Sequence, residues 1–175
     1  MKLKFLNIEK SYLELERRFK VSGKGNVFLT NTGIYGVADI EKVFKFFKDI
    51  HLEEYDCFLD LGSGDGRIVL VASLFTKAVG VESDKELVRY GEEIKNKLGL
   101  NAEFLCEDFL KMNLDKYDIL FINPDKEFDK GLDDKLSQEM KGKLFLYNQL
   151  FKPKKLKRSK AYWYDQIPII EFERE

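Results

Sequence analysis

Short apolar runs and longer amphipathic segments alternate along the middle of the chain. The short runs predict buried strands, and the segments whose apolar residues recur every three to four positions predict helices. Strands are expected at 56–61, 78–82, 102–107, 118–123 and 143–148. Helices are expected at 8–19, 37–50, 66–75, 83–99 and 132–140. Strands separated by helices imply crossover connections and therefore a parallel sheet.

Two parts of the chain fall outside this alternation. Residues 21–36 contain four glycines together with threonine and asparagine, a composition typical of a loop. Residues 152–160 contain six basic residues in nine and are expected to form a loop between late strands. The segments 161–166 and 169–174 predict a closing antiparallel pair. Because neither a repeat nor a linker interrupts the sequence, the whole chain, 1–175, is interpreted as one domain.

The helix expected at 83–99 has signals at both ends. Ser83 and Glu86 have the spacing of a capping box, in which each side chain bonds the backbone N–H of the other residue. Gly99 stands where a helix commonly ends in the left-handed conformation. The sequence therefore predicts a helix that begins at Ser83 and stops at Gly99.

Composition narrows the class of protein. Of the 175 residues, 44% are hydrophobic and 14% aromatic, which predicts a packed globular protein. Charged residues make up 35%, a share that favours a heat-adapted, thermostable protein, and the net charge is −1. This balance gives no overall reason to expect a nucleic-acid or membrane partner. Because the sequence has neither an apolar stretch of about 18 residues nor a signal-peptide core, a cytoplasmic location is expected.

The cysteines and the histidine argue against a metal site. Cys57 and Cys106 both lie in apolar runs that predict strands, so buried, reduced thiols are expected. His51 is the single histidine, which leaves too few ligands for a zinc site of the usual kind. No metal is therefore predicted.

The sequence DLGSGDG, residues 60–66, follows the first strand of the alternating region. A phosphate-binding P-loop would have lysine and then serine or threonine after its last glycine, where this chain has Arg67 and Ile68. A dinucleotide fingerprint would need a small residue at position 67. Asp60 and Asp65 would also repel a pyrophosphate, so a ligand with a positive centre suits this loop better.

S-adenosyl-L-methionine (SAM) is such a ligand, because it carries a sulfonium and an ammonium group. Asp60, which precedes the glycines, can receive the ammonium directly or through water. Gly62, Gly64 and Gly66 allow the backbone to run close under the ribose and the methionine part. Glycines alone are a weak indication, so the next two strands have to supply the remaining contacts.

The next two strands end in acidic residues at the required spacing. Glu82 lies 20 residues past Gly62, where an acid binds the ribose hydroxyls. Asp108 ends the third strand of the series and can accept the adenine amino group, with Phe109 beside it for the ring face. Three consecutive strand ends therefore carry the groups that this cofactor needs.

These residues together resemble class I SAM-dependent methyltransferases over about 56–148. Residues 60–66 match the first motif of that family, Glu82 the second and Asp108 the third. The resemblance implies an α/β fold, with a Rossmann-like, doubly wound, mostly parallel seven-stranded sheet, a C-terminal antiparallel strand pair and N-terminal helices. It also implies that Leu61, Ser63 and Ser83 belong to the cofactor-binding set.

The spelling DLGSGDGRIVL resembles most the small prokaryotic protein-lysine methyltransferases, which are related to mitochondrial and non-SET chromatin lysine enzymes. In that group a loop and a helix precede the glycine motif, and the loop closes over the cofactor. Residues 28–47 have a similar layout, which implies that Thr30 and Tyr35 belong to a cofactor lid. The chain then divides into N-terminal helices and lid (1–50), the cofactor-binding core (56–148), and the basic loop with the closing strands (149–175).

The segment FINPDKEF, residues 121–128, partly resembles the N-P-P-F/Y motif of amino-group methyltransferases. In that motif the asparagine side chain and a backbone carbonyl accept hydrogen bonds from the target amine, which makes Asn123 and Pro124 the candidate catalytic residues. Asp125 replaces the second proline, and the lysine enzymes are apolar here. Methylation of protein lysine is the leading hypothesis. Methylation of an RNA base, with residues 152–160 gripping the RNA, and a non-catalytic SAM-binding module or assembly subunit are the alternatives.

Overall fold

Five α-helices and nine strands follow one another in the computed structural model, which describes residues 1–30, 33–129 and 131–174. The helices are α1 (Lys2–Val21), α2 (Ile40–Asp49), α3 (Arg67–Ala72), α4 (Lys85–Leu98) and α5 (Leu132–Glu139). The strands are β1 (Val27–Leu29), β2 (Ile34–Gly36), β3 (Cys57–Leu61), β4 (Lys77–Val81), β5 (Ala102–Leu105), β6 (Ile119–Ile122), β7 (Lys143–Tyr147), β8 (Lys157–Tyr164) and β9 (Ile167–Glu173). Two short 3-10 helices span Leu52–Glu54 and Phe109–Lys111.

Strands β3 to β9 form one seven-stranded sheet in the order β5-β4-β3-β6-β7-β9-β8. The pairs among β3 to β7 are parallel, while β9 is antiparallel to both β7 and β8. The predicted Rossmann-like, doubly wound fold with a closing antiparallel pair is therefore confirmed. The chain proceeds outward in one direction from β3 and in the other from β6, so a crevice opens beyond the carboxyl ends of these two strands.

The sheet is the middle of three layers. Alternate residues of β3 point to opposite faces, so Phe58 packs with the cluster formed by α1 to α4, and Leu59 packs with the cluster that includes α5. All four residues of β6 are buried, as expected for a parallel strand covered on both faces. Burial on both faces fixes the strand ends, and this positions the loops that follow them.

Residues 21–36 contain a β-hairpin and not only the predicted loop. Strands β1 and β2 form a separate antiparallel pair in which Phe28 lies opposite Tyr35. Phe28 and Tyr35 point inward, whereas Val27, Leu29 and Ile34 are exposed. Each strand has only three residues, too few for the alternation to stand out among the glycines. Residues 31 and 32 of the predicted loop lie outside the described residues.

The start of α4 differs from the prediction. Asp84, and not Ser83, caps this helix, because the Asp84 side chain accepts hydrogen bonds from the backbone N–H groups of Glu86 and Leu87. The Ser83 hydroxyl instead donates to the carboxylate of Glu82. Gly99 ends the helix in the left-handed conformation with φ +59°, as predicted.

Two further predictions about local environment are wrong. Cys57 is only half-buried and Cys106 is exposed, because β3 begins at Cys57 and β5 ends before Cys106. Lys157, Arg158 and the two residues after them lie in β8 and not in a loop. Strand β8 is an edge strand, and exposed basic side chains are a common feature of sheet edges because they oppose pairing with another chain.

Candidate active site

A cavity of about 340 Å³ lies at the carboxyl ends of β3, β4 and β6, beneath the β1–β2 hairpin. Twelve of the thirteen residues predicted for the site line this cavity: Tyr35, Asp60, Leu61, Gly62, Ser63, Gly64, Glu82, Ser83, Asp108, Phe109, Asn123 and Pro124. Thr30 lines it as well. Parallel strands bring these segments together, because their carboxyl ends meet at one edge of the sheet.

Gly66 is the predicted site residue that does not line the cavity. Its φ is +80°, and a Cβ at this position would lie 2.4 Å from the Phe104 ring. Glycine is needed here for the backbone conformation and for the close packing of the loop against β5 and α4. This is a packing requirement and not a contact with ligand.

The other two glycines leave bare backbone against the cavity. Gly62 has φ +76° and Gly64 has φ +54°, conformations that glycine adopts without strain. The loop is held to β4, because the N–H groups of Gly62 and Ser63 both donate to the carbonyl of Val81 at 2.9 Å. A Cβ on Gly62 would meet no atom within 4 Å, so the space beside this residue is open to a ligand.

Asp60 is the most unusual acid of the site. It is 3% exposed, lies at the cavity wall, and its carboxylate has no hydrogen-bond partner within residues 1–30, 33–129 and 131–174. Burial raises the pKa of this carboxyl well above its ordinary value, and the nearby charges of Glu82 and Asp65 raise it further. A cationic ligand would relieve this unfavourable environment, and the ammonium group of SAM fits it.

Glu82 and Asp108 mark the next two strand ends, as the sequence predicts. One oxygen of the Glu82 carboxylate accepts from the Gly64 N–H at 3.0 Å, and the other from the Asp84 N–H at 2.9 Å. The oxygen bound to Asp84 also accepts from the Ser83 hydroxyl, so the oxygen bound to Gly64 is the one that retains a second lone pair for the cavity. Asp108 caps the second 3-10 helix with Oδ1, which accepts from the Leu110 N–H at 3.0 Å. Both acids therefore shape the loops on which they lie as well as the cavity wall.

The sequence suggested that Asp65, like Asp60, faces a cationic ligand, but the Asp65 carboxylate is already paired within the protein. The guanidinium of Arg67 donates to both oxygens of its carboxylate, with the shortest contact 2.8 Å. Arg67 is 4% exposed, so it is a buried salt-bridge partner and not a surface residue. Glu16 of α1 accepts from the same guanidinium at 2.9 Å, and the ring of Tyr12 lies beneath it.

The hairpin is fastened over the cavity at two points. The Tyr35 hydroxyl donates to Asp65 Oδ2 at 2.7 Å, and its ring stacks near Phe28 with the centroids 4.7 Å apart. Burial and the Asp65 carboxylate raise the pKa of Tyr35, so this hydroxyl keeps its proton. The second point is Asp125, whose Oδ2 accepts from the Ile34 N–H at 2.8 Å. The acid that replaces the second proline of the motif therefore holds the hairpin.

Asn123 directly follows β6 and lines the cavity beside Pro124. Its side-chain oxygen accepts a hydrogen bond from the Asn148 amide at 2.7 Å. Asn148 follows β7 and was not among the residues predicted for the site. A polar residue directly after a buried strand was the available signal, but nothing local indicated that its partner would be 25 positions away.

Four carboxylates and one lysine line the outer part of the cavity. The acids are Asp108, Asp125, Glu127 and Asp129, and the base is Lys126. Apart from Asp125, which is half-buried, these residues are exposed. The entrance of the cavity is therefore acidic, although the chain as a whole carries a net charge of only −1.

The family model described as "Histone methylation protein DOT1" matches residues 26–145, which include the hairpin, the glycine loop and the segment after β6. The chain belongs to the DOT1 family. It is accordingly a SAM-dependent methyltransferase, and SAM is its cofactor. A search of curated proteins found no match.

Solved structures similar to this DOT1-family chain share its fold. An RNA methyltransferase from Salinibacter ruber in complex with S-adenosyl-L-homocysteine has a TM-score of 0.64 at 19% identity, over 79% of this chain and 95% of that chain. A hypothetical protein of Thermus thermphillus has a TM-score of 0.61 at 20% identity, over 78% and 86%. TehB from Haemophilus influenzae has a TM-score of 0.56 at 14% identity, over 77% and 62%. At these identities the likeness establishes the fold and not the acceptor.

The described part of the DOT1-family chain lacks two further kinds of feature. No described helix is both long enough and apolar enough to cross a membrane. Among the residues that the structure describes, no group of three His, Cys, Asp or Glu side chains is placed to hold a metal ion.

Proposed function

We propose that this DOT1-family protein methylates the ε-amino group of lysine side chains in a protein substrate. The acidic entrance of the cavity is the observation that carries this proposal. With Asp108 assigned to the adenine, Asp125, Glu127 and Asp129 remain against Lys126 within the described residues at the entrance, and their net negative charge attracts a cationic side chain. The same charges repel a polyanion such as RNA, whose binding depends on phosphate contacts with basic residues.

The basic residues of β8 lie at the wrong end of the sheet to serve the cavity. Strands β7 and β8 are both antiparallel to β9, so they run in the same direction. Lys157 pairs with Glu173 near the amino end of β7, whereas the cavity lies at the carboxyl ends. Lys155, in the loop before β8, forms an ion pair with Asp134 of α5. These placements weaken the alternative in which residues 152–160 grip an RNA substrate.

The cavity residues fit SAM in the arrangement that the sequence predicts. In the proposed complex Asp60 receives the ammonium group, Glu82 holds the ribose hydroxyls, and Asp108 with Phe109 contacts the adenine. Leu61, Ser63 and Ser83 line the same wall. The bound cofactor supplies a methyl group on a positively charged sulfur. The chain's own residues position the acceptor and exclude water from the reaction.

The inner wall on the acceptor side is mostly apolar. Phe121, Ile122, Pro124 and Leu132 are buried and line the cavity next to Asn123. Burial among apolar side chains lowers the pKa of an amine, which favours the neutral form that carries a lone pair. In the proposed complex the acidic entrance attracts the ammonium ion, and the apolar wall promotes loss of its proton.

Transfer of labelled methyl groups tests the proposal directly. The purified protein is incubated with methyl-tritiated SAM and cell extract, and the product is divided between protease and nuclease digestion. We expect the label to become acid-soluble with protease and to survive nuclease, and to be recovered as methyl-lysine. Label released by nuclease would favour the RNA alternative. Tight SAM binding without any label would favour a non-catalytic SAM-binding module.

The acidic entrance can be tested separately with core histones as a lysine-rich probe. The double substitution Glu127→Gln and Asp129→Asn should raise KM for this probe about two- to tenfold, because each exposed charge contributes at most about 1 kcal/mol. The effect should shrink as salt is added, since screening weakens exposed charges. Affinity for SAM should not change.

The matched control removes two acids at the opposite end of the sheet. Glu53 and Glu54 are exposed and precede β3, so their joint change to glutamine alters net charge equally without touching the cavity. An equal rise in KM for the control and the entrance variant would show that total charge, and not the entrance, governs binding.

A further inference from the structure

Asn148 occupies a special backbone position directly after β7. Its φ is +74°, one of three positive values among the non-glycine residues that the structure describes. Asparagine adopts this left-handed conformation more readily than most residues do. The backbone N–H of Asn148 donates to the carbonyl of Pro168 at 2.9 Å, which ties the turn to the closing hairpin. The side chain is thereby directed toward the loop after β6.

A chain of hydrogen bonds sets the orientation of two amides. The backbone N–H of Leu150 donates to Oδ1 of Asn148 at 2.9 Å. A backbone N–H can only donate, so this contact places the oxygen of Asn148 toward Leu150 and leaves its NH₂ group facing Asn123. Nδ2 of Asn148 then donates to Oδ1 of Asn123 at 2.7 Å. The polarity of the Asn123 amide is therefore determined by a backbone group in the β7–β8 loop.

These hydrogen bonds determine which hydrogen-bonding sites of Asn123 remain free toward the cavity. One lone pair of Asn123 Oδ1 is occupied by Asn148, and one remains. No residue of the described ranges accepts a hydrogen bond from Nδ2 of Asn123, and this side chain lines the cavity. Asn123 thus offers the reacting partners an amide of fixed polarity, with a free NH₂ group and one free acceptor site.

We propose that Asn148 is a positioning residue for methyl transfer and that it acts by holding the Asn123 amide in this single orientation. An amide without such a partner can rotate by 180° and exchange its donor and acceptor sites, whereas a fixed amide is oriented before the substrate arrives. The proposal rests on the role proposed for Asn123 in the transfer. It extends that role to a residue that contacts neither substrate nor cofactor.

Asn148→Asp is the informative substitution. Aspartate tolerates a positive φ and can still accept from the Leu150 N–H, so the turn is preserved. It cannot donate, so Asn123 loses its partner and is expected to turn its own NH₂ group toward the new carboxylate. Gln149→Glu is the matched control, because this neighbouring residue is exposed and undergoes the same change from amide to acid.

Two measurements decide the question. In the wild type, a nitrogen–carbon scalar coupling should be detected by NMR across the bond from Asn148 Nδ2 to Asn123 Cγ, and it should be absent in Asn148→Asp. With core histones and SAM, kcat should fall about three- to tenfold in Asn148→Asp, which is the effect expected from losing one neutral hydrogen bond, while Kd for SAM stays unchanged. Gln149→Glu should retain the wild-type kcat.

Comparison with Asn123→Ala distinguishes the proposed role of Asn148 from the role of Asn123 on which it depends. If Asn148 acts through Asn123, the double variant Asn123→Ala with Asn148→Asp should be no slower than Asn123→Ala alone. Wild-type kcat in Asn123→Ala would remove Asn123 from the proposed mechanism. Three results would each overturn only the role of Asn148. The first is a slow Asn123→Ala together with wild-type kcat in Asn148→Asp. The others are additive losses of kcat in the double variant and the absence of the NMR coupling in the wild type.

Discussion

Substitution of Asp60 by asparagine should have opposite effects on stability and on ligand binding. The Asp60 carboxylate is 3% exposed and has no hydrogen-bond partner within the described residues, and burial raises its pKa. In the free protein its negative charge therefore opposes folding. In the proposed complex the same charge pairs with the cofactor ammonium. The asparagine side chain has the same shape as aspartate but is neutral, so Asp60→Asn removes both contributions with little change of packing.

The magnitudes follow from the energetics of buried polar groups. A hydrogen bond to a charged group contributes about 1.5–3 kcal/mol, so Kd for SAM should rise about ten- to a hundredfold. Removal of an uncompensated buried charge should stabilise the free protein by on the order of 1 kcal/mol. For a chain of this length that corresponds to a rise in Tm of about 2–4 °C.

Calorimetric titration and thermal unfolding measure the two effects. SAM and S-adenosyl-L-homocysteine both carry the ammonium group and should both bind the Asp60→Asn variant more weakly. Methylthioadenosine lacks that group and should bind the variant and the wild type equally. Asp56→Asn makes the same chemical change at an exposed position at the other end of β3 and should alter neither Tm nor affinity. Wild-type affinity for SAM in Asp60→Asn, or equal weakening of methylthioadenosine binding, would refute the assignment.

The pH dependence of stability gives an independent check. The folded-state pKa of Asp60 is raised, so the folded protein retains this proton more strongly than the unfolded chain. Below the unfolded-state pKa of about 3.9 the acid is protonated in both states, and its charge has no effect. The unfavourable contribution grows as pH rises from the unfolded-state pKa to the raised folded-state pKa, and it is constant above that pKa. The Tm difference between Asp60→Asn and the wild type should therefore be largest at neutral pH and disappear in acid.

Three further substitutions test the glycine loop and the hairpin. Gly66→Ala should destabilise the free protein by about 2–4 kcal/mol, because the new Cβ would lie 2.4 Å from the Phe104 ring and φ is +80°. The new Cβ of Gly62→Ala meets no atom, so this variant should lose only about 1–2 kcal/mol of unfolding free energy, because of its φ of +76°. It should weaken SAM binding more than Gly66→Ala does. Equal losses of stability for the two variants in thermal unfolding would contradict this interpretation. Tyr35→Phe removes the hydroxyl that donates to Asp65 at 2.7 Å and should lower the free energy of unfolding by about 1–2 kcal/mol. An unchanged urea midpoint would show that this hydrogen bond does not stabilise the protein.

Local patterns in the sequence predicted most of the sheet and most of the cavity wall. Each strand of the parallel region carries its own apolar run. Asp60 is the last residue but one of β3, Glu82 directly follows β4, and Asp108 lies three residues past the end of β5. Once the connections are crossovers, the carboxyl ends of parallel strands meet at one edge of the sheet. Residues that are far apart in the chain could therefore be placed together from spacing alone.

Pairing between distant side chains could not be predicted in this way. Asp60 and Asp65 belong to the same motif, yet Asp60 is left unpaired for a ligand within the described part of the chain, while Asp65 is neutralised by Arg67 and bound by Tyr35. Spacing along the chain does not distinguish them, because Tyr35 comes from a hairpin 30 positions earlier. The choice depends on which side chain the packed lid and α1 place beside each carboxylate.

The sequence by itself therefore determined the class of fold, the cofactor and the acidic residues at the strand ends that line the cavity, since each of these follows from a short segment of the chain. Only the tertiary structure decided that Gly66 serves packing, that Asp125 binds the β1–β2 hairpin, and that the Asn148 side chain donates to Asn123. In each of these cases the deciding contact joins elements at least 25 residues apart. Hydrogen bonds and steric contacts act over a few ångströms in space, and only the folded chain brings such partners within that range.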